Sequence, residues 1–428
     1  MSAEIYVVDG LRTPFLKARG APGSFSAADL ATAACRALLL RQPQAAAAVD
    51  EVILGCANPA VDEVNIARVV ALRSGCDERI PAWTVMRNCA SGMQALDSAA
   101  ASIRSGRAEV VLAGGVDALS RAPLLLSPAM VSWLARWQAA RSTLAKLKLL
   151  GQFRPGLLKP VLAIMEGLTD PIVGQLMGQT AENLAHQFSI SRAQMDDYAR
   201  SSHQRALAAR AAGHDATEIL PLIAADGQLF AADDGVRDAA GLDKLDQLKP
   251  FFDRRYGRVT AGNSSQISDG AACLLLASAA AVERHQLPVL GRIIDCHWAA
   301  LAPERMGLGP VHASVPLLQR HGLRMDDIDL WEINEAFAAQ LLACLQAFAD
   351  EDYCRSQLDG AAAPGAPQLE RLNVDGGAIA RGHPVGATGV RIVLSLLHGL
   401  RRRGGGRGIA SLCIGGGQGG AMLVEAGA

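Results

Sequence analysis

The sequence predicts an α/β protein in which two similar halves flank a longer, mainly helical segment, and three observations carry that prediction. Short apolar runs alternate with stretches of helical composition, the pattern of strands and helices stacked in layers. The run CASGMQALDSAAASIRSGRAEVVLAGG from Cys89 and the run HPVGATGVRIVLSLLHGLRRRGGGRGIASLCIGGG from His383 share one order: reactive residue, small-residue helix, Gly-containing turn, apolar strand. That order reads as an internal duplication. Between the halves, residues 121–252 are rich in Ala, Gln and charged side chains and carry only weak strand signals.

Taken in order, the first half opens with an apolar strand at 5–8, a loop through Arg12-Thr13-Pro14-Phe15, and a helix over 27–41. A strand at 52–54, a helix over 66–72 and a strand at 82–85 lead to Cys89, followed by an Ala-rich helix over 94–103. The run 110–115 is almost wholly apolar, as in a strand buried on both faces. In the second half, a helix at 315–321 precedes a strand over 328–333, and Asn334-Glu335-Ala336-Phe337 is expected to begin the next helix. A Pro/Ala-rich loop at 361–368 leads to Asn373, then Gly382-His383-Pro384 and a helix over 388–401. Strands at 409–413 and 421–424 close the chain. Two such halves set their strand-end loops against each other, which is where a site is expected.

Composition narrows the function classes. With 428 residues and 50% hydrophobic content the chain can bury a large core over two or three domains. A net charge of −1 and 4% aromatic residues argue against nucleic acid, which rewards cationic surfaces and stacking rings. Nine scattered cysteines lack disulfide-scaffold density and the paired C-x-x-C spacing of a zinc site, so no metal is expected and a reducing compartment is. The N-terminus enters an apolar strand with no basic leader, and no long apolar segment follows, so a cytoplasmic protein is expected.

Cys89 lies between a strand and a helix start, where unpaired N–H groups and the helix dipole favour a thiolate and can hold a developing oxyanion. That makes it a candidate nucleophile. His383, held on a Gly-His-Pro turn, could take its proton. Cys413 ends an apolar strand at Gly415-Gly416-Gly417, where backbone can approach a ligand closely, and is a second candidate thiol. The other seven cysteines read as packing residues.

The inserted segment has one unusual stretch. On a helical wheel Trp133, Trp137, Ala140, Leu144 and Leu147 share a face flanked by Arg136, Arg141 and Lys148. Between Arg121 and Glu166 no acidic residue occurs. A basic amphipathic helix over 131–150 could lie on an anionic membrane surface, or pack on its own domain or a partner subunit.

These residues together resemble the thiolases over essentially the whole chain. The matching motifs are Arg12-Thr13-Pro14-Phe15, Cys89-Ala90-Ser91, Thr260-Ala261-Gly262-Asn263-Ser264-Ser265, Asn334-Glu335-Ala336-Phe337, Gly382-His383-Pro384 and Cys413-Ile414-Gly415, in the family's order. The resemblance implies a duplicated fold in a layered α-β-α-β-α arrangement with an inserted loop domain. It divides the chain into an N-terminal half (1–120 with 253–284), the insert (121–252) and a C-terminal half (285–428). The activity implied is acyl transfer between Cys89 and coenzyme A, with no tightly bound cofactor. In thiolytic cleavage of a 3-ketoacyl-CoA, Cys89 would carry the acyl group, His383 would take its proton and Cys413 would protonate the departing carbon. Asn334 would help hold a water or ring nitrogen at an oxyanion site, Glu335 would orient its neighbours, and the N–H groups of Gly415 and Cys89 would form an oxyanion hole. Ser264 is expected along the pantetheine arm, Met177 and Phe337 near the acyl end, and Arg192, Arg205 or Arg210 at the adenosine phosphates.

Within the family, the basic insert and Met177-Gly178-Gln179-Thr180-Ala181-Glu182 look most like thiolase subunits of fatty-acid oxidation complexes. A homodimer or homotetramer is implied, while the basic helix over 131–150 leaves room for a hydratase/dehydrogenase partner subunit or a membrane surface. The alternatives are an acetyl-CoA C-acetyltransferase acting on acetoacetyl-CoA, a related condensing enzyme, a cysteine hydrolase, and a non-catalytic lipid-binding or scaffolding protein. Condensing enzymes lack the second cysteine, a hydrolase leaves it unexplained, and a non-catalytic role would be favoured by loss of Cys89 or His383, both of which are present.

Overall fold

A computed structural model describes residues 4–427, and its contacts divide the chain into two compact units, residues 122–169 and all the rest. The first half of the larger unit runs β1 (Ile5–Arg12), α1 (Ala27–Arg41), β2 (Glu51–Gly55), α2 (Ile66–Ser74), β3 (Ala82–Val85), α3 (Ser91–Arg104) and β4 (Val110–Ala118). Local chemistry sets several of these boundaries. Ser26 and Asp29 cap α1 reciprocally, and Gly75 at φ 92° ends α2 in the left-handed conformation that glycine adopts without strain.

Residues 122–169 contain the helices α4 (Pro128–Ala139) and α5 (Thr143–Leu150) and a two-stranded pairing of Leu124–Leu125 with Val161–Leu162. The expected single helix over 131–150 is therefore two. Ala140 takes an extended conformation, and the Ser142 side chain accepts from the Ala145 N–H to cap a new helix. The tryptophans are half-buried and pack within the unit: Trp133 stacks on Trp137 at 5.4 Å, takes Phe153 edge-on at 5.2 Å, and donates its indole N–H to Leu149 O. Of the segment 121–252 assigned to one insert, residues 170–252 group with the larger unit. That part carries α6 (Met177–Gln187), α7 (Arg192–Ala211) and a short pairing of Leu222–Ile223 with Leu229–Phe230.

The chain returns to the first half through β5 (Ser268–Ser278). It then builds β6 (Gly291–Ala300), α8 (Gly309–Arg320), β7 (Leu330–Ile333), α9 (Ala338–Ala349), α10 (Val385–Arg402), β8 (Gly406–Ile414) and β9 (Gln418–Ala426). The helix expected to begin at Asn334 begins at Ala338 instead. Residues 334–337 stay extended because they pair with the 263–265 loop: Ser265 N–H donates to Ala336 O, Ala338 N–H donates to Asn263 O, and Ser264 bridges to Phe337.

One ten-stranded sheet runs in the order β7-β8-β9-β6-β1-β5-β4-β2-β3, with the short strand Leu16–Lys17 added to β5. The order is duplicated. From the centre outwards β1, β5, β4, β2 and β3 pair antiparallel, antiparallel, parallel, parallel. From the same centre β6, β9, β8 and β7 pair antiparallel, antiparallel, parallel, and a parallel bridge from Trp331 to Leu372 stands where β3 stands in the first half. The halves meet where β1 pairs with β6 through Ile5 and Ile293.

Helices α1 and α2 cover one face of the first half, α8 covers the second half, and α3 and α10 lie between them, giving the expected α-β-α-β-α layers. The inner pair is the driest part of the structure. Val390, Ile392, Val393, Leu394 and Leu397 of α10 are fully buried, each contributing about 1.5–3 kcal/mol relative to exposure. Small residues let α3 and α10 approach: a Cβ on Gly92 would lie 2.5 Å from Gly386 O, and one on Gly389 would lie 2.4 Å from Met93 N. This crossing carries both reactive loops, because Cys89 and His383 each sit two residues before the first residue of these helices.

Candidate active site

The turn into α3 is held without a conventional side-chain cap. Ser91 Oγ accepts from the Arg87 N–H and donates to Asn88 O, closing a tight loop, and Asn88 takes φ +43° to make it. Asparagine tolerates that left-handed conformation better than most residues. The Asn88 side chain donates to Gly415 O at 3.0 Å, so the cysteine loop is tied to the glycine turn after β8. Cys89 stays partly accessible, and the N–H groups of Gly415 and of Cys89 itself point at its sulfur. Those donors lower the thiol's pKa, but desolvation by the surrounding protein outweighs them and pushes it up. The helix start thus favours the thiolate, as expected, but by less than burial opposes it. Burial keeps the sulfur protonated, and a base must take its proton.

The base has an assigned lone pair. Thr388 Oγ1 donates to Pro384 O at 2.8 Å and therefore accepts from His383 Nδ1–H at 2.7 Å. His383 Nε2 is then the free acceptor. Asn334 Nδ2 lies 3.5 Å from it, too long for a strong hydrogen bond, and Asn334 Oδ1 is buried without a partner. Burial, with Arg391 adding to it, lowers the His383 pKa to about 4, so the imidazole is neutral at pH 7. Arg391 is itself buried against Glu332 at 2.8 Å.

Cys413 is buried near the end of β8, and burial together with the neighbouring Cys89 pushes its thiol well up. A protonated thiol there is a proton donor in waiting. Met177 reaches Gly415, since a Cβ on that glycine would meet Met177 Sδ at 3.1 Å. Phe337 packs edge-on against Phe252 at 5.9 Å, and Phe252 also covers Gly178. The structure therefore groups Cys89, Cys413, Gly415 and Met177, links His383 to Asn334, and joins the two groups through the α3–α10 crossing. Ser264 sits beside Phe337, its hydroxyl donating to Thr260 O at 2.7 Å within its own loop.

Glu335 is fully buried and accepts from Tyr198 Oη, Ser202 Oγ, Asn373 Nδ2 and the Ile379 N–H, tying α7 to the loop before His383. That is the orienting role expected for it. Arg192, Arg205 and Arg210, by contrast, donate to chain carbonyls at Leu245 and Leu248, at Leu372 and Leu369, and at Asp233. Their guanidinium groups are committed within the fold, which weakens each as a phosphate ligand.

Several positioning residues were not singled out from sequence. Thr388 fixes the histidine tautomer, and Phe252 lines the Met177–Phe337 region. Arg12, whose motif had been noted without a role, joins Asp233 and Glu218, and Asp233 in turn binds Arg381, two residues before His383. Asp117 accepts from the N–H groups of Asn58 and of Gly386 at the start of α10, and burial raises its pKa to about 6. A single acid closing an apolar strand was its only local signal.

Comparison with known proteins agrees with this geometry. Residues 5–280 match the family model "Thiolase, N-terminal domain" and residues 287–426 match "Thiolase, C-terminal domain". The beta-ketoadipyl-CoA thiolase of Pseudomonas aeruginosa is 40% identical over 430 residues, covering 99% of this chain and 100% of the relative. The 3-ketoacyl-CoA thiolase of Salmonella paratyphi A is 37% identical over 424 residues, covering 99% and 97%. Human mitochondrial 3-ketoacyl-CoA thiolase, solved also in complex with CoA, superposes with a TM-score of 0.85 at 36% identity, covering 100% of this chain and 99% of that one. Two abutting helix starts, a base and two thiols, matched at both ends by these domain models, leave one conclusion: the chain belongs to the thiolase family of acyltransferases, which work on coenzyme A thioesters.

Proposed function

We propose that this protein cleaves 3-ketoacyl-CoA with coenzyme A to give acetyl-CoA and an acyl-CoA two carbons shorter, as in fatty-acid β-oxidation. The observation that carries the reading is the pairing of a neutral His383, with Nε2 free, and two protonated thiols grouped at one site. Cys89 Sγ attacks the 3-keto carbon as its proton passes to His383 Nε2. The bond between carbons 2 and 3 breaks, carbon 2 takes the Cys413 proton, and acetyl-CoA leaves. Coenzyme A then gives its thiol proton to Cys413 and attacks the acyl-Cys89 thioester, and His383 returns the first proton to Cys89. In both steps the Gly415 and Cys89 N–H groups face the oxyanion that develops at the attacked carbonyl, and as the bond between carbons 2 and 3 breaks the protonated Nε2 and Asn334 polarise the CoA thioester oxygen onto which the charge of carbon 2 spreads.

Met177, Phe252 and Phe337 support an apolar acyl chain. The similarity to beta-ketoadipyl-CoA thiolases favours a second reading, a chain ending in a carboxylate. The reverse condensation, and action on acetoacetyl-CoA alone, use the same residues. A homodimer or homotetramer in the cytoplasm fits the family and the nine free cysteines.

The test is coenzyme A dependent cleavage of acetoacetyl-CoA, a long-chain 3-ketoacyl-CoA and 3-oxoadipyl-CoA by the purified protein and by Cys89→Ser. Highest kcat/KM on the long chain, falling by at least about 10⁴-fold in the variant, is the expected result. Preference for the dicarboxylic substrate would make the second reading the right one, and activity confined to acetoacetyl-CoA would make the protein an acetyltransferase.

A further inference from the structure

A buried ion pair beside the base takes no part in the steps above, and stability does not account for it. Arg391 Nη1 of α10 donates to Glu332 Oε2 of β7 at 2.8 Å, with the two side chains 1% and 4% exposed. Among the described residues, Nε and Nη2 of that guanidinium are buried without a partner. Taking two charges out of water costs about as much as their attraction returns, and unpaired buried donors add to the cost. Apolar side chains of similar volume would hold β7 to α10 as well or better, so the pair at this place needs another reason.

Spacing along the chain supplies it. Glu332 and Asn334 are two residues apart on extended backbone and so share a face, and Asn334 Nδ2 lies 3.5 Å from His383 Nε2. Thr388 and Arg391 are three residues apart on α10 and also share a face, and Thr388 Oγ1 accepts from His383 Nδ1–H at 2.7 Å. The imidazole is therefore flanked by one strand and one helix, and the ion pair joins that strand to that helix one step behind each flanking residue. Arg391 acts on the ring as well, since its cation adds to burial in lowering the His383 pKa. At Glu332, burial pushes the carboxyl up and Arg391 holds it down, while Asp375 and Glu335 raise it and Arg381 lowers it.

We propose that Glu332 and Arg391 are positioning residues for the base, the pair fixing β7 and α10 about His383 and the Arg391 charge favouring return of the proton from Nε2 after each transfer. This role rests on the reaction proposed above, in which His383 takes a proton from Cys89 and later gives it back. A fixed cation beside an imidazole disfavours the charged ring, and a carboxylate behind that cation moderates the effect. The two charges thus act on His383 with opposite sign, which packing alone would not do.

The experiment compares the wild-type protein with Glu332→Gln, with Arg391→Met, and with Glu332→Leu combined with Arg391→Met, which removes both charges and keeps the contact apolar. Alkylation of Cys89 by iodoacetamide, followed at that residue by mass spectrometry from about pH 3.5 to 8, needs the base but no substrate. Its acid limb should move to higher pH by about one unit in Arg391→Met and to lower pH in Glu332→Gln. The double variant should keep its thermal stability and hold KM for acetoacetyl-CoA within about twofold, while kcat falls by about tenfold. Limb shifts in the same direction, no shift in either single variant, or a double variant with full kcat overturns the proposal, because the pair would then be packing alone. Should a single variant fail to fold, the double variant decides through its kcat. A wild-type protein that shows the limb but cleaves no 3-ketoacyl-CoA would overturn the reaction proposed above, whereas opposed limb shifts would still uphold the role of the pair at the base.

Discussion

The first half places Cys89 before its inner helix and Asp117 at the end of β4, and the second half places His383 and Cys413 at the equivalent positions. The equivalence can be read from register. Asp117 lies two residues beyond the last parallel pair, Gly55 with Gly115, and Cys413 two residues beyond Ile333 with Ser411. Cys89 and His383 each follow a residue with positive φ, Asn88 at +43° and Gly382 at +107°. In the proposed reaction the four matched positions therefore carry a nucleophile, a structural acid, a base and a second thiol. The difference teaches that duplication supplied two similar mountings, and the proposed reaction uses each mounting for another of its steps. Asp117 even serves the opposite half, because the N–H it accepts from Gly386 belongs to α10.

The sharpest way to test this division is at Cys413. Cys413→Ser replaces the thiol by a hydroxyl that gives up its proton far less readily still, so cleavage of acetoacetyl-CoA should fall by about 10³-fold. Exchange of the acetyl group between acetyl-CoA and labelled coenzyme A needs no carbon protonation. It should survive within about tenfold in that variant, yet vanish in Cys89→Ser. If both variants lose both reactions, the thiols are not divided as the matched positions suggest.

Smaller in energy is the proton linkage of His383, which separates the base from its counterpart Cys89. Its folded pKa of about 4 lies below the 6.5 of a free imidazole. As pH falls the unfolded chain therefore takes up the proton first. The stability involved is fully present above pH 6.5 and is lost as pH falls towards 4, amounting to about 3 kcal/mol. His383→Gln should flatten that part of the dependence of denaturant stability on pH. An unchanged profile would mean that the imidazole is better solvated than its packing indicates.

How much of this was legible follows from how local each cause is. Cys89, His383 and Cys413 stand in short motifs whose turn chemistry is self-contained, and the duplicated run announced the matched mountings. Asn334 was legible as a residue, but its extended backbone was not, because the 263–265 loop that holds it lies some seventy positions away. Arg12 and Arg381 could not have been joined from sequence, since Asp233 between them is remote from both. The broken basic helix was an avoidable miss. Ser142 ahead of Thr143 is a helix-start signal, which a wheel drawn through it ignores. The balance at Cys89 was legible only in part: a helix terminus that favours the thiolate is visible in sequence, whereas the desolvation that outweighs it exists only after packing.

The smallest expected effect falls on Thr388, one turn into α10, whose work is to choose which imidazole nitrogen is free. Thr388→Val keeps the volume in a fully buried position and removes the one acceptor for Nδ1–H among the described residues. Losing one neutral hydrogen bond costs about 1 kcal/mol, and the imidazole would then divide between tautomers, so kcat should fall by about tenfold with KM little changed. Thr388→Ser keeps the hydroxyl and should restore most of the rate, which a purely structural role for the methyl group would not predict. Should Thr388→Val retain full kcat, the free nitrogen would have to be set from the Nε2 side. Asn334 would then be the group that orients the base, and the second half would hold its histidine from β7 and not from α10.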